Sequence, residues 1–172
     1  LSLTRGLHAY SRAQAEGRWD RALASGVSFG ELQGKTMLVV GLGGRGTQIA
    51  LRAHGLGMRV IATRNSSRSG PDYVDYVGLA DELPKLSAEA DVIVNALPLT
   101  VATRGLFDQA FFKGAKQGSI FISVGRGQST VTADLVQALE SGQLFGAGLD
   151  VVDPEPLPPE SPLWQMSNVI IT

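Results

Sequence analysis

Gly41, Gly43 and Gly46 form a G-x-G-x-x-G, and the segments on either side give it a place to act. Residues 35–40 are a short apolar, partly β-branched run, and residues 47–57 carry Ile49, Ala50, Ala53 and Leu56 at helical spacing. Between a strand and a helix each glycine has its own task. Gly41 allows the tight turn out of the strand, Gly43 lets a pyrophosphate approach the backbone, and Gly46 lets the helix pack closely on the strand. The helix N-terminus adds unpaired N–H groups and a partial positive charge. The expected ligand is a dinucleotide. The plainer alternative is a strand–helix turn that holds no ligand.

A second candidate loop, Thr63-Arg64-Asn65-Ser66-Ser67-Arg68, follows a run at 58–62 that reads as the next strand. Folds of this kind that bind NAD place an acidic residue near here for the ribose hydroxyls. This loop offers two arginines and neutral donors instead, which suits a 2′-phosphate. A solvated basic loop is the alternative. Leu97-Pro98 follows the apolar run 91–97 and can line the adenine or ribose side of a groove, or simply pack. In Val124-Gly125-Arg126-Gly127, an arginine between two glycines has freedom to point into a cleft, grip a carboxylate in bidentate fashion and polarise a carbonyl; a surface turn is the alternative. Asp150, Asp153 and Glu155 lie in a proline-rich loop, where one carboxylate can orient a histidine for proton transfer; a solvated acidic loop is the alternative. The only histidines, His8 and His54, sit on expected helices away from the strand ends, so neither reads as catalytic. Nothing has metal-ligand spacing.

These loops need a scaffold, and the chain alternates strand and helix signals from residue 35 onward. Strands are expected at 35–40, 58–62, 74–77, 91–97, 119–123, 145–151 and 168–172. Helices are expected at 1–18, 47–57, 79–86, 106–112 and 132–140, with a connector at 25–34 and an irregular stretch of five prolines at 154–162. The central strands are apolar throughout, as strands buried on both faces are. The expected fold is α/β: a doubly wound parallel sheet of about seven strands with helices on both faces, one dinucleotide-binding domain over 1–172, with 1–30 as a helical arm. Ligands in such sheets bind beyond the carboxyl ends of the strands.

The 172 residues, 44% hydrophobic and 18% charged with a net charge of −1, describe an ordinary globular domain with no field favouring nucleic acid or an anionic membrane. The absence of cysteine excludes disulfides and thiolate metal sites and suits the cytoplasm. No apolar run approaches the roughly 20 residues of a membrane span. The chain starts at Leu1 and ends inside an apolar run, so it reads as a piece of a longer protein.

Taken together, these motifs resemble the cofactor-binding domain of the D-2-hydroxyacid dehydrogenases, the group that includes glyoxylate/hydroxypyruvate reductases. The resemblance covers nearly the whole chain. It rests on Gly34-Lys35-Thr36 leading into Gly41-Leu42-Gly43, on Leu97-Pro98-Leu99-Thr100 with Thr103-Arg104-Gly105-Leu106, and on Gly125-Arg126-Gly127. It continues through Ala147-Gly148-Leu149-Asp150-Val151, Glu155-Pro156-Leu157-Pro158 and Pro162-Leu163-Trp164. It implies that Arg126 binds substrate, that Glu155 pairs with the catalytic histidine and that Asp150 lies near the nicotinamide carboxamide. That histidine is expected in a Pro-His pair directly after residue 172, and the substrate domain also lies outside this chain.

The expected cofactor-binding set is Gly41, Gly43, Gly44, Arg45, Gly46, Thr63, Arg64, Asn65, Ser66, Leu97, Pro98, Val124, Gly125 and Asp150, with NADP preferred to NAD. Arg126 and Glu155 are the expected catalytic residues. Three positions depart from the family pattern: Arg45 stands where isoleucine is usual, Arg64 lies near the missing acidic residue, and Ser123 replaces a frequent asparagine. The implied reaction is hydride transfer between the nicotinamide and a small 2-keto/2-hydroxy acid, in a homodimer to which the N-terminal helix contributes. The rival readings are a non-catalytic nucleotide-sensing or corepressor-like module of the same fold and, more weakly, another Rossmann enzyme such as an adenosylhomocysteine hydrolase.

Overall fold

A computed structural model describes residues 1–19 and 30–172. Seven strands, β1 (Thr36–Val40), β2 (Arg59–Arg64), β3 (Tyr76–Leu79), β4 (Val92–Asn95), β5 (Ser119–Ser123), β6 (Leu144–Leu149) and β7 (Val169–Ile171), form one sheet in the order β3-β2-β1-β4-β5-β6-β7. All pairings are parallel. The chain runs outward from β1 to β3 and then returns to β4 beside β1, which makes the β1/β4 boundary the topological switch point.

Successive side chains of a strand point to opposite faces, and both faces here are covered. Leu38 and Val40 of β1 enter one core with Ile93 and Phe121, while Val39 enters the other with Val60, Val94 and Ile120. The α-helices among the described residues are α1 (Leu7–Ala15), α2 (Gly44–Gly55), α3 (Leu83–Ser87), α4 (Gln109–Gly114) and α5 (Thr132–Glu140). Ala50 and Ala53 of α2 pack on the second core; Leu83, Phe112 and Leu135 bring α3, α4 and α5 onto the first. Phe107, Phe112 and Phe121 are buried in edge-on and tilted contact there.

Several boundaries differ from expectation for identifiable reasons. Gly6 takes a left-handed conformation (φ 64°), so the N-terminal segment is a turn followed by a helix from Leu7 onward. Leu3 therefore leaves the helical stripe and packs into the sheet core, whereas Leu7 and Tyr10 stay exposed. The helix expected at 106–112 starts later because Asp108 caps it, accepting the Phe111 N–H at 2.9 Å, while Phe107 bridges to Thr130. Pro84 falls in the first turn of α3, where its missing N–H breaks no helical bond. Of the expected connector, residues 25–29 lie outside the described residues, as do residues 20–29 of the arm.

At the opposite edge from the glycine turn, Asp91 ties the sheet together. Its carboxylate accepts the Thr36 N–H at 2.8 Å and the Lys116 ammonium at 2.7 Å. Burial pushes this carboxyl upward, but the bonds from Lys116 and Thr36 outweigh it and hold its pKa below the ordinary value of 3.8. A depressed carboxylate pKa stabilises the fold above the unfolded-state pKa, and that contribution is lost as pH falls through the folded-state value. Asp91→Asn is thus expected to cost about 1 kcal/mol at pH 7 after solvent screening of Lys116. Urea midpoints of the two proteins should converge at acid pH; a gap of the same size at both ends of the range would contradict this.

Candidate functional site

The strand register brings the candidate loops to one edge. Gly78, Thr63, Val40, Asn95, Ser123, Leu149 and Ile171 align across the seven strands. The next residues of β2, β1, β4, β5 and β6 are Arg64, Gly41, Ala96, Val124 and Asp150. All of these lie at the carboxyl edge of the sheet, which straddles the switch point.

The three glycines of the first turn differ in what they need. Gly41 has φ +99°, and a side chain there would meet Leu97 at 2.9 Å. A side chain on Gly46 would collide with the Gly41 carbonyl and press on Val39 at 3.1 Å. Gly43 is different: its backbone is extended (φ −88°), and a Cβ there would meet nothing within 4 Å. Neither strain nor packing among the described residues demands glycine at Gly43, and Gly44 beside it is equally open. No side chain caps α2, so the amides of its first turn face this open space without a side-chain partner. A bare backbone at a helix N-terminus suits a phosphate group.

On the β2 side, Arg64 is half-buried and its Nε donates to the Leu42 carbonyl at 3.1 Å. That bond pins the guanidinium against the glycine turn and leaves its terminal nitrogens for an anion. Asn65 and Ser66 are exposed beside it, while Thr63 is buried and contributes its carbonyl, which accepts the Leu42 N–H. Two expected donors are taken up elsewhere. Arg68 pairs with Glu82 at 2.6 Å and bonds the Tyr76 hydroxyl, and Ser67 closes a local turn with Ser69. The Tyr76 hydroxyl, the Leu79 N–H and Arg68 together hold the Glu82 carboxyl below its ordinary range. The net positive charge of this loop toward a ligand therefore rests on Arg64 alone.

On the β5 side, the two glycines around Arg126 serve close packing rather than freedom. A Cβ on Gly125 would lie 2.6 Å from the Leu97 carbonyl oxygen and 2.9 Å from Asn95 Oδ1, and one on Gly127 would collide with the Val152 carbonyl. Arg126 is exposed on this tight bend, one terminal nitrogen donating to the Gly125 carbonyl at 2.8 Å. Val124 is half-buried, and its carbonyl accepts a bond from Arg45, which reaches across from the start of α2. Leu97 is half-buried and Pro98 exposed. Asp150 is exposed and accepts from the Thr172 hydroxyl at 3.3 Å. Glu155 is exposed on the following loop, which Thr132 ties down through the Asp153 carbonyl at 2.7 Å. His54 is exposed on α2, whereas His8 is half-buried and lines a groove with Val169, Ile170 and Ile171, closer to β7 than expected.

Asn95 stands outside the candidate residues of the sequence. It is fully buried at the end of β4, donating to the Ser123 hydroxyl at 3.1 Å and the Ser129 hydroxyl at 2.8 Å, and accepting the Leu97 N–H at 3.1 Å. The available signal was a polar residue at the end of an otherwise apolar strand buried on both faces, since buried polar groups find partners.

Strand order, glycine turn and loop edge define a Rossmann-type dinucleotide-binding domain. Residues 1–172 match the family described as D-isomer specific 2-hydroxyacid dehydrogenase, NAD binding domain. Glyoxylate/hydroxypyruvate reductase B of Enterobacter sp. (strain 638) is 35% identical over 171 residues, covering 99% of this chain and 52% of that protein. Among solved structures, a probable 2-hydroxyacid dehydrogenase from Rhizobium etli in complex with NADP superposes with a TM-score of 0.88 at 34% identity, covering 99% of this chain and 53% of that one. An NADPH-dependent glyoxylate/hydroxypyruvate reductase from Sinorhizobium meliloti, in complex with NADP and sulfate, gives 0.86 at 34% identity, covering 99% and 54%. The chain belongs to the D-isomer specific 2-hydroxyacid dehydrogenase family, as its NAD-binding domain. It spans about half the length of these relatives. Among the described residues no helix is long and apolar enough to cross a membrane.

Proposed function

We propose that this domain binds NADP(H), in preference to NAD(H), within an oxidoreductase of small 2-keto/2-hydroxy acids. The observation that carries the reading is the bare backbone at Gly43 and Gly44: an open, uncapped helix start, with Arg64 pinned over the same turn. Gly41, Gly43, Gly44, Arg45 and Gly46 would hold the pyrophosphate. Thr63, Arg64, Asn65 and Ser66 would surround the 2′-phosphate, and Leu97, Pro98, Val124, Gly125 and Asp150 would line the ribose and nicotinamide side. NADP bound in two structural relatives at 34% identity supports this choice.

When bound, the nicotinamide supplies or accepts a hydride. Arg126 binds the carboxylate of the acid and polarises the adjacent carbonyl, a charge-assisted contact that strengthens as the oxygen gains negative charge. Glu155 holds the proton on an imidazole that the rest of the protein presents to this edge, and orients it toward the carbonyl oxygen. The exposed Leu7 and Tyr10 of α1 form part of a homodimer contact; a full-length protein that sediments as a monomer at micromolar concentration removes that part.

The test is NADPH oxidation with glyoxylate and with hydroxypyruvate. The full-length protein should turn both over. Residues 1–172 alone should bind cofactor yet be inert, because general acid catalysis is worth about 10²–10⁴-fold. Cofactor binding without turnover by the full-length protein would favour a nucleotide-sensing module instead.

A further inference from the structure

Asn95 is an expensive residue to bury. A strand whose neighbours Val92, Ile93 and Val94 are all buried gains nothing in packing from an amide, and an amide without partners there would be destabilising. Yet both of its N–H groups and its oxygen are used. An amide with donor and acceptor sides both committed has one orientation only. What it holds are three segments that meet at the carboxyl edge: its oxygen fixes the backbone of Leu97, and its nitrogen fixes Ser123 at the end of β5 and Ser129 in the turn after Arg126.

The chain of bonds continues to Arg126 itself. The Ser129 hydroxyl, which accepts from Asn95, donates to the Arg126 carbonyl at 2.6 Å. On the other side of Arg126, Gly125 lies so close to Asn95 Oδ1 that a Cβ would come within 2.9 Å of it. The backbone before Arg126 is thus seated on the Asn95 side chain, and the backbone after it is bonded to the same side chain through one hydroxyl. Asn95, Ser123 and Ser129 are all buried, so water does not compete for these bonds. A partner at every polar atom is what lets such a network specify a single geometry.

We propose that Asn95, acting through Ser129, is the positioning residue that sets where Arg126 meets the carboxylate of the substrate. This rests on Arg126 being the carboxylate anchor. Small displacements of a binding group cost much in catalysis, so Asn95→Leu, similar in size but without the amide, should lower kcat/KM for glyoxylate by about 10- to 100-fold. The phosphate contacts at Gly43 and Arg64 lie on the other side of the switch point, so NADPH affinity, which Asn95 reaches only through Leu97 and Gly125, should fall far less than kcat/KM.

A double-mutant cycle in the full-length protein tests this, with kcat/KM for glyoxylate at saturating NADPH, the NADPH dissociation constant and the thermal midpoint read for each variant. The variants are Asn95→Leu, Ser129→Ala, Arg126→Ala and the two doubles with Arg126→Ala. The expected result is a loss of kcat/KM from Asn95→Leu and from Ser129→Ala in the parent background that is several-fold larger than any loss of NADPH affinity. In the Arg126→Ala background either change should alter kcat/KM by no more than about twofold, since the group they position is gone. Full additivity, an equal loss of NADPH affinity, or no loss from either single change would overturn the proposal. Should Asn95→Leu fail to fold, Ser129→Ala removes only the hydroxyl link and completes the cycle. If Arg126→Ala alone leaves kcat/KM intact, the reading of Arg126 falls and this proposal with it, an outcome visible in that one variant.

Discussion

Arg126→Ala in the full-length protein is expected to lower kcat/KM for 2-keto acids by about 2–4 kcal/mol of transition-state stabilisation, or about 30- to 1000-fold. The side chain is exposed on a bend where packing around Gly125 and Gly127 fixes the backbone, so truncation removes the guanidinium and leaves its support in place. Cofactor affinity should change little, because Arg64 and the first turn of α2 carry the phosphates. Arg126→Lys should recover only part of the loss: an ammonium keeps the charge but cannot make the planar bidentate contact. Steady-state kinetics with glyoxylate, alongside NADPH titration, separates the two. Near-unchanged kcat/KM in the alanine variant would make Arg126 a turn residue.

The second large effect is on cofactor choice. Because Arg68 is neutralised by Glu82, the 2′-phosphate reading depends on one guanidinium, Arg64. A charged hydrogen bond contributes about 1.5–3 kcal/mol, and exposure of the loop draws this toward the lower end. NADPH should therefore bind about tenfold tighter than NADH, with the ratio shrinking as salt is raised. Arg64→Asp should reverse the order, since a carboxylate repels the 2′-phosphate and accepts from ribose hydroxyls. Arg68→Ala should leave the ratio nearly unchanged. Equal affinities in the unaltered protein, or no response to Arg64→Asp, would mean that Arg64 does not meet the cofactor.

Much of this edge was legible in the sequence because its signals are local. A strand, three spaced glycines and a helix lie within some twenty residues, and α5 at 132–140 combines clean amphipathic spacing with a following glycine. What escaped was set by contacts between distant segments. Arg64 and Arg68 look equivalent along the chain, and only the fold puts Glu82 beside the second. Gly125 and Gly127 look like freedom, and only the approach of Leu97, Asn95 and Val152 shows that they are needed for close packing. Asn95 reads as a minor blemish in an apolar strand until Ser123 and Ser129, from two other segments, close around it.

Hydrogen exchange of residues 1–172 with and without NADPH tests most directly whether this edge is the dinucleotide site. Amides of residues 43–46 should exchange markedly more slowly with cofactor present, because the uncapped first turn of α2 then has a phosphate partner, and amides of 64–66 and 124–126 should follow. Amides of α1 and of the groove beside β7 should not change. If NADPH leaves the amides of residues 43–46 unprotected, or protects only some other face, the bare glycine backbone is a strand–helix turn and nothing more.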